Sequence, residues 1–177
     1  MVEINKVRAD PTSLIANLTA IKDNFNGLVY KELGVVAETT IEGVAAIDAA
    51  IDYLNNTATV SSALTEVTLM TTACSDHVAD TGPGGETGNT GADGSTPTER
   101  VNRYGISNGT IVQNNGYKRI TGADVVLWMI IDDGVSARTN RDNLLNSTIT
   151  VAGIFSGTHS VNGHQSCVVL APDFTPD

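Results

Sequence analysis

Apolar residues recur at Leu14, Leu18, Ile21, Phe25 and Leu28, in steps of four, three, four and three, and mostly polar residues fill the positions between. This is a heptad seam, and so narrow a stripe predicts a helix that packs against copies of itself; a helix on a monomeric core carries a broader apolar face. Asp10 or Thr12 caps its start, with Pro11 tolerated in the first turn, and residues 1–11 read as a short anchor ahead of it. A second helix is predicted from Thr40 to Leu54, with Ile41, Val44, Ile47, Ile51 and Leu54 along its seam. Ile-rich seams shift coiled coils from two strands toward three or more. Residues 57–74 fit helix or strand: Val60, Leu64 and Val67 keep helical spacing, while residues 66–69 alternate and are rich in β-branched residues.

After Pro97 the pattern changes to short apolar runs between turn dipeptides. Residues 109–113 and 117–121 flank Asn114, Asn115 and Gly116, a hairpin signal because Asn-Gly accepts positive φ. Val125 to Ile131 reads as a buried strand with Trp128 in the core, ending in a turn at Asp132, Asp133 and Gly134. Residues 148–155 and 167–170 add strands, with Asn162 and Gly163 as another hairpin turn. Residues 97–177 are thus expected to form a small all-β head.

Between the two textures, glycine returns at Gly82, Gly85, Gly88, Gly91 and Gly94. This is the Gly-X-Y period of a collagen triple helix, whose crowded axis admits only glycine. A flexible polar linker is the alternative, since Gly, Ser, Thr and Asp also make linkers. The period predicts a homotrimer. The expected architecture is an elongated, mixed α and β trimer: anchor 1–11, helical stalk 12–81, collagen-like segment 82–96 and β head 97–177.

A net charge of −10 over 177 residues argues against phosphate-neutralising contacts with nucleic acid and against anionic membranes. The N-terminus lacks the basic start and apolar run of a secretory signal, so folding in a cytoplasm is expected. Cys74 and Cys167 then read as reduced thiols, and the sequons at Asn17, Asn55, Asn108 and Asn146 carry little meaning.

Catalytic signatures are sparse. Ser156 and His159 lie close in sequence but read as turn residues, and Asp132 and Asp133 as part of a turn. Cys74 with His77, and His164 with Cys167, have zinc-type spacing, yet a triple helix between the pairs would hold them about 45 Å apart. His159 or His164 on a threefold axis is a residual ion site. No cofactor and no metal are expected. Tyr104 and Tyr117, beside Gly or Asn, are candidate contacts to a glycan or receptor.

The Leu14-to-Leu28 seam, the Gly82-to-Gly94 register and the turn-punctuated tail together resemble the trimeric fibre and spike proteins of bacteriophage virions. The resemblance implies a non-enzymatic virion protein, either a capsid head fibre or decoration protein or a short tail fibre. Its N-terminal part would dock on a capsid or tail protein, and its head would attach to the host surface. The alternative within that resemblance is a trimeric spike that degrades polysaccharide by hydrolysis or elimination.

Overall fold

The computed structural model describes residues 1–33 and 36–177. In chain order the elements are α1 (Val2–Ala9), α2 (Ile15–Ile21), β1 (Phe25–Asn26), β2 (Val29–Tyr30), β3 (Glu38–Thr39) and α3 (Val44–Asn56). There follow β4 (Thr65–Glu66), α4 (Thr68–Thr81), α5 (Pro97–Val101), β5 (Gly105–Ile106) and β6 (Val112–Tyr117). The chain ends with α6 (Gly122–Ile131), α7 (Thr139–Leu145), β7 (Val151–His159), β8 (Gly163–Ala171) and β9 (Thr175–Pro176).

The main sheet has the order β4-β7-β8-β6, antiparallel except for the parallel β4–β7 pair. β8 is central and buried from Gln165 to Ala171, and alternation along it sends side chains to two different cores. Val168 and Leu170 join a large core with α1, α2, α3, α6 and α7. Cys167, Val169 and Ala171 meet α4 and Val101 of α5 on the other side. The result is three layers, helices on both faces of one sheet.

This architecture overturns the expected elongated trimer of stalk, triple helix and β head. Among the described residues the longest helix is α4, with 14 residues, and it packs on β7 and β8 of its own chain. The seams are internal. Leu18, Ile47 and Leu54 are fully buried in the large core, Leu14, Ile21, Phe25 and Ile51 pack partly buried against it, and Val44 is half-buried. Leu28 and Ile41 face solvent. α2 and α3 pack on one another, and α3 on α6, so intramolecular partners supply what copies were expected to provide.

The glycine register does not build a triple helix either. Gly85, Gly88 and Gly94 have φ of +82°, +98° and +83°, whereas every collagen residue sits near −75°. Gly82 ends α4 by donating to Val78 O, and Gly91 and Ser95 close a tight turn through a bond from Gly91 N to Ser95 O. Three-residue spacing here reflects successive turns in one loop.

Other expectations also change. Residues 125–131 are helical: Thr121 caps α6 by accepting from Asp124 N, and Asp132 ends it in the left-handed region at φ +55°. Asn114, Asn115 and Gly116 lie inside β6, whose register with β8 runs unbroken from Val112 to Tyr117. The hairpin expected at Asn162 and Gly163 does form, between β7 and β8. Asp10 caps the 3-10 turn that starts at Pro11, but residues 2–9 ahead of it are a helix with Ile4, Val7 and Arg8 buried.

A disulfide joins Cys74 on α4 to Cys167 on β8, with Cα atoms 5.5 Å apart, so the thiols expected to be reduced are oxidised. Both lie in the smaller core, because the loop of residues 82–96 folds back instead of holding them apart. Three arginines, Arg8, Arg100 and Arg141, are almost wholly buried, and each donates to backbone carbonyls. Arg8 bonds Leu144 O and Asn146 O at the end of α7, and Arg141 bonds Ile130 O and Ile131 O at the end of α6. Each guanidinium thereby supplies donors to carbonyls that a helix end leaves open.

Candidate functional site: a polar cleft along the β6 edge

A cleft of about 750 Å³ opens where the outer edge of β6 meets three other segments. Thr87, Gly88 and Asn89 form one wall, α6 and α7 with the Asp132–Asn140 connection form the other, and residues 38–41 close one end.

The first wall is the glycine loop, held by histidine nitrogens, amides and a buried guanidinium. His77 Nε2 donates to Gly88 O and His159 Nε2 to Glu86 O, each at 3.1 Å, while His159 Nδ1 accepts from Val161 N and Asn162 N. Burial, aided by the nearby Arg100 charge, pushes the His77 pKa down to about 4. Arg100, 2% exposed, donates to Ser95 O, Asn89 O and the Gln113 side chain. Asn115 Nδ2 reaches Gly88 O and Asn89 Oδ1, and Tyr117 Oη accepts from Gly88 N.

The opposite wall is held by carboxylates. Asp132 accepts from Asn140 N and Asn140 Nδ2, and Asp133 accepts from Ile41 N and Glu42 N. Glu42 pairs with Arg138, whose hydrogen bond holds the Glu42 carboxyl below its ordinary pKa. At the closed end Glu38 pairs with Lys118 and Arg119, and the Arg119 guanidinium stacks 4.1 Å above the Trp128 ring. Each cleft carboxylate is therefore engaged, and so are the amide nitrogens of Asn89, Asn115 and Asn140, which leaves hydroxyls such as those of Thr87 and Thr139 and the backbone of β6 to meet a ligand.

Of the residues singled out in the sequence, Tyr117 lines the cleft, its ring centroid 5.3 Å from that of His159 in an edge-to-face arrangement. Tyr104 lies elsewhere, donating to Asp76 at 2.7 Å. Trp128, expected in the core, is half-buried and lines the cleft. Ser156 bonds Ser166 Oγ and not His159, so the pair forms no dyad. The two cysteines of the zinc pairing are joined to each other, and among the described residues no group of three or more His, Cys, Asp or Glu is placed to hold a metal. Asn89 and Asn140 were missed: only the folded chain brings their segments together, although the left-handed Gly88 and the Asp132 cap that position them are turn-type residues.

No helix among the described residues is long and apolar enough to cross a membrane. No family model and no curated protein matches the sequence. Among solved structures, an outer surface protein of Borrelia burgdorferi is similar in fold, with a TM-score of 0.52 at 14% identity over 66% of this chain and 80% of that one. At that identity the likeness is one of fold alone.

Proposed function

We propose that this chain is a recognition module that binds an uncharged or weakly basic polar ligand in the β6 cleft, without catalysis. The observation that carries the reading is the state of the cleft's charges: Glu38, Asp132 and Asp133 are all engaged by protein donors, while hydroxyls and the backbone of β6 are left to meet a ligand. A general acid or base must be free to exchange a proton with substrate, and these carboxylates are not. The polysaccharide-degrading alternative therefore has less support than binding.

The reading keeps the attachment role expected of the head and moves it to a cleft within one chain. A capsid-docking arm at residues 1–11 has less to rest on, because Ile4, Val7 and Arg8 are packed into the core. The buried disulfide supports maturation where thiols oxidise.

Trp128 is the chain's single tryptophan, so its fluorescence reports on the cleft. Titration with neutral oligosaccharides and blocked peptides is expected to give a saturable change for at least one class. Thr87→Phe with Thr139→Phe fills the cleft from two exposed positions and is expected to abolish that change. A ligand that binds this double variant as tightly as the parent overturns the reading.

A further inference from the structure

The deepest feature of the cleft is backbone. β6 is an edge strand, bonded on one side to β8 and on the other to no strand among the described residues. Lys118 N donates to His164 O, which fixes the phase of the antiparallel ladder. Residues 112, 114 and 116 thus exchange bonds with β8, and residues 113, 115 and 117 point their N–H and C=O groups outward. The Gln113 carbonyl already accepts from Asn89 Nδ2, as that phase requires. Asn115 and Tyr117 then present two N–H and two C=O groups along the cleft floor. An open edge of this kind is a template for another strand.

The walls select what can reach it. Gly88 and Asn89 stand on one side, tied to the Asn115 and Tyr117 side chains, and Asn140 stands on the other, its carbonyl accepting from Asn114 Nδ2. A slender extended chain enters between these walls, whereas the edge of a second folded sheet, with its own flanking layers, does not. Charge adds a further filter. The protein carries −10 overall, and the cations nearest the floor, Lys118 and Arg119, are already paired with Glu38. An acidic segment meets repulsion, while a neutral or basic one does not. On the apolar side Trp128, Met129 and the exposed Ile41 line the space where one face of such a segment would lie.

Resting on the cleft-binding reading above, we propose that the ligand is an extended, neutral-to-basic peptide segment that adds as an antiparallel strand to the Asn115–Tyr117 edge. Main-chain bonds supply affinity in this mode, and alternate side chains supply selectivity. A peptide residue opposite Asn115 and the next but one opposite Tyr117 turn their N–H groups to β6, and the residue between turns its N–H away.

The test uses a library of N-acetylated, C-amidated heptapeptides read by Trp128 fluorescence, followed by single N-methylation along the best binder. Binding is expected to fall at least tenfold at two positions two residues apart and to change less than threefold at the position between. Asn115→Pro, which removes one outward N–H, is expected to bind at least tenfold more weakly than Asn115→Ala, which loses the same side-chain bonds and keeps that N–H. Because N-methyl scanning uses the unaltered protein, a misfolded proline variant does not blunt the test. If no heptapeptide binds, or N-methylation acts equally at every position or nowhere, strand addition is overturned. When an oligosaccharide still binds the parent and fails on the Thr87→Phe, Thr139→Phe variant, only the peptide proposal falls. When that variant binds everything the parent binds, the cleft reading falls with it.

Discussion

The two walls differ in what holds the residues that line the cleft, Thr87 to Asn89 on one side and the Asp132–Asn140 connection on the other. On the glycine-loop side, histidine nitrogens, amides and the buried Arg100 guanidinium meet backbone carbonyls, with no carboxylate bonded to Arg100. On the α6–α7 side, carboxylates meet backbone N–H groups and Arg138. The loop has no regular ladder of its own, so buried side chains must meet its carbonyls, and removing one leaves polar groups stranded out of water. The helical wall is supported by the helices themselves, and its ion pair lies near solvent. A loop wall is therefore expected to fail sooner, and under different conditions, than a helical one.

Removing the disulfide should separate the walls most sharply. It ties α4, which carries His77 and feeds into the loop, to β8 across 93 residues, and a crosslink of that span stabilises by about 4 kcal/mol. Cys74→Ala with Cys167→Ala is expected to lower the unfolding free energy by that order, with amide exchange rising first in residues 82–96 and last in α6. Equal loss of protection on both walls would erase the distinction. Next is Arg100→Met, which strands the Ser95 and Asn89 carbonyls and costs about 3 kcal/mol. Limited proteolysis is expected to cut between residues 84 and 95 in this variant and to spare α7.

Acid should act on the loop wall first, because the stability of the Glu42–Arg138 pair is lost only below the ordinary carboxyl value of 4.5. His77 titrates near 4 in the fold against 6.5 when unfolded, so between those values the unfolded chain binds the additional proton. The stability that His77 confers is complete above pH 6.5 and is lost as pH falls to about 4, on the order of 3 kcal/mol at most. Melting curves from pH 7 to 4 are expected to steepen in the parent relative to His77→Gln; parallel curves would remove the role of His77. Smallest is Arg138→Ala, which breaks a half-exposed pair with Glu42 and is expected to cost about 1 kcal/mol or less, shrinking further in high salt.

What could be read in advance follows the same division between local and distant. The Asp10 cap, a helix near residues 44–54 and the β7–β8 hairpin at Asn162 and Gly163 are set by neighbours in sequence, and they were legible. The apolar run 125–131 was not, since a segment buried on most sides has the same pattern as a helix or a strand. Its flank did carry a usable signal, Thr121 three residues before Asp124. Thr96 and Glu99 likewise form a capping box that announces α5 inside what looked like the start of an all-β head. Heptad spacing misled because a narrow stripe also suits short helices whose remaining faces are exposed, as those of α2 and α3 are. The cleft was barely legible: of its lining only Tyr117 was named as a candidate contact, because Asn89, Trp128 and Asn140 converge only once β6 takes its place at the sheet edge.

One small feature has a long reach. A Cβ on Gly153 of β7 would collide with the backbone of Met70 and Thr71, so α4 lies against the strand with no room for a methyl group. Any single-base change that alters this codon's amino acid adds at least that methyl. Drift is expected to stall at Gly153, while Gly88, whose absent Cβ would meet nothing within 4 Å, is limited by its φ alone. A search for distant relatives is thus better anchored on this one glycine under α4 than on the five that keep a three-residue beat.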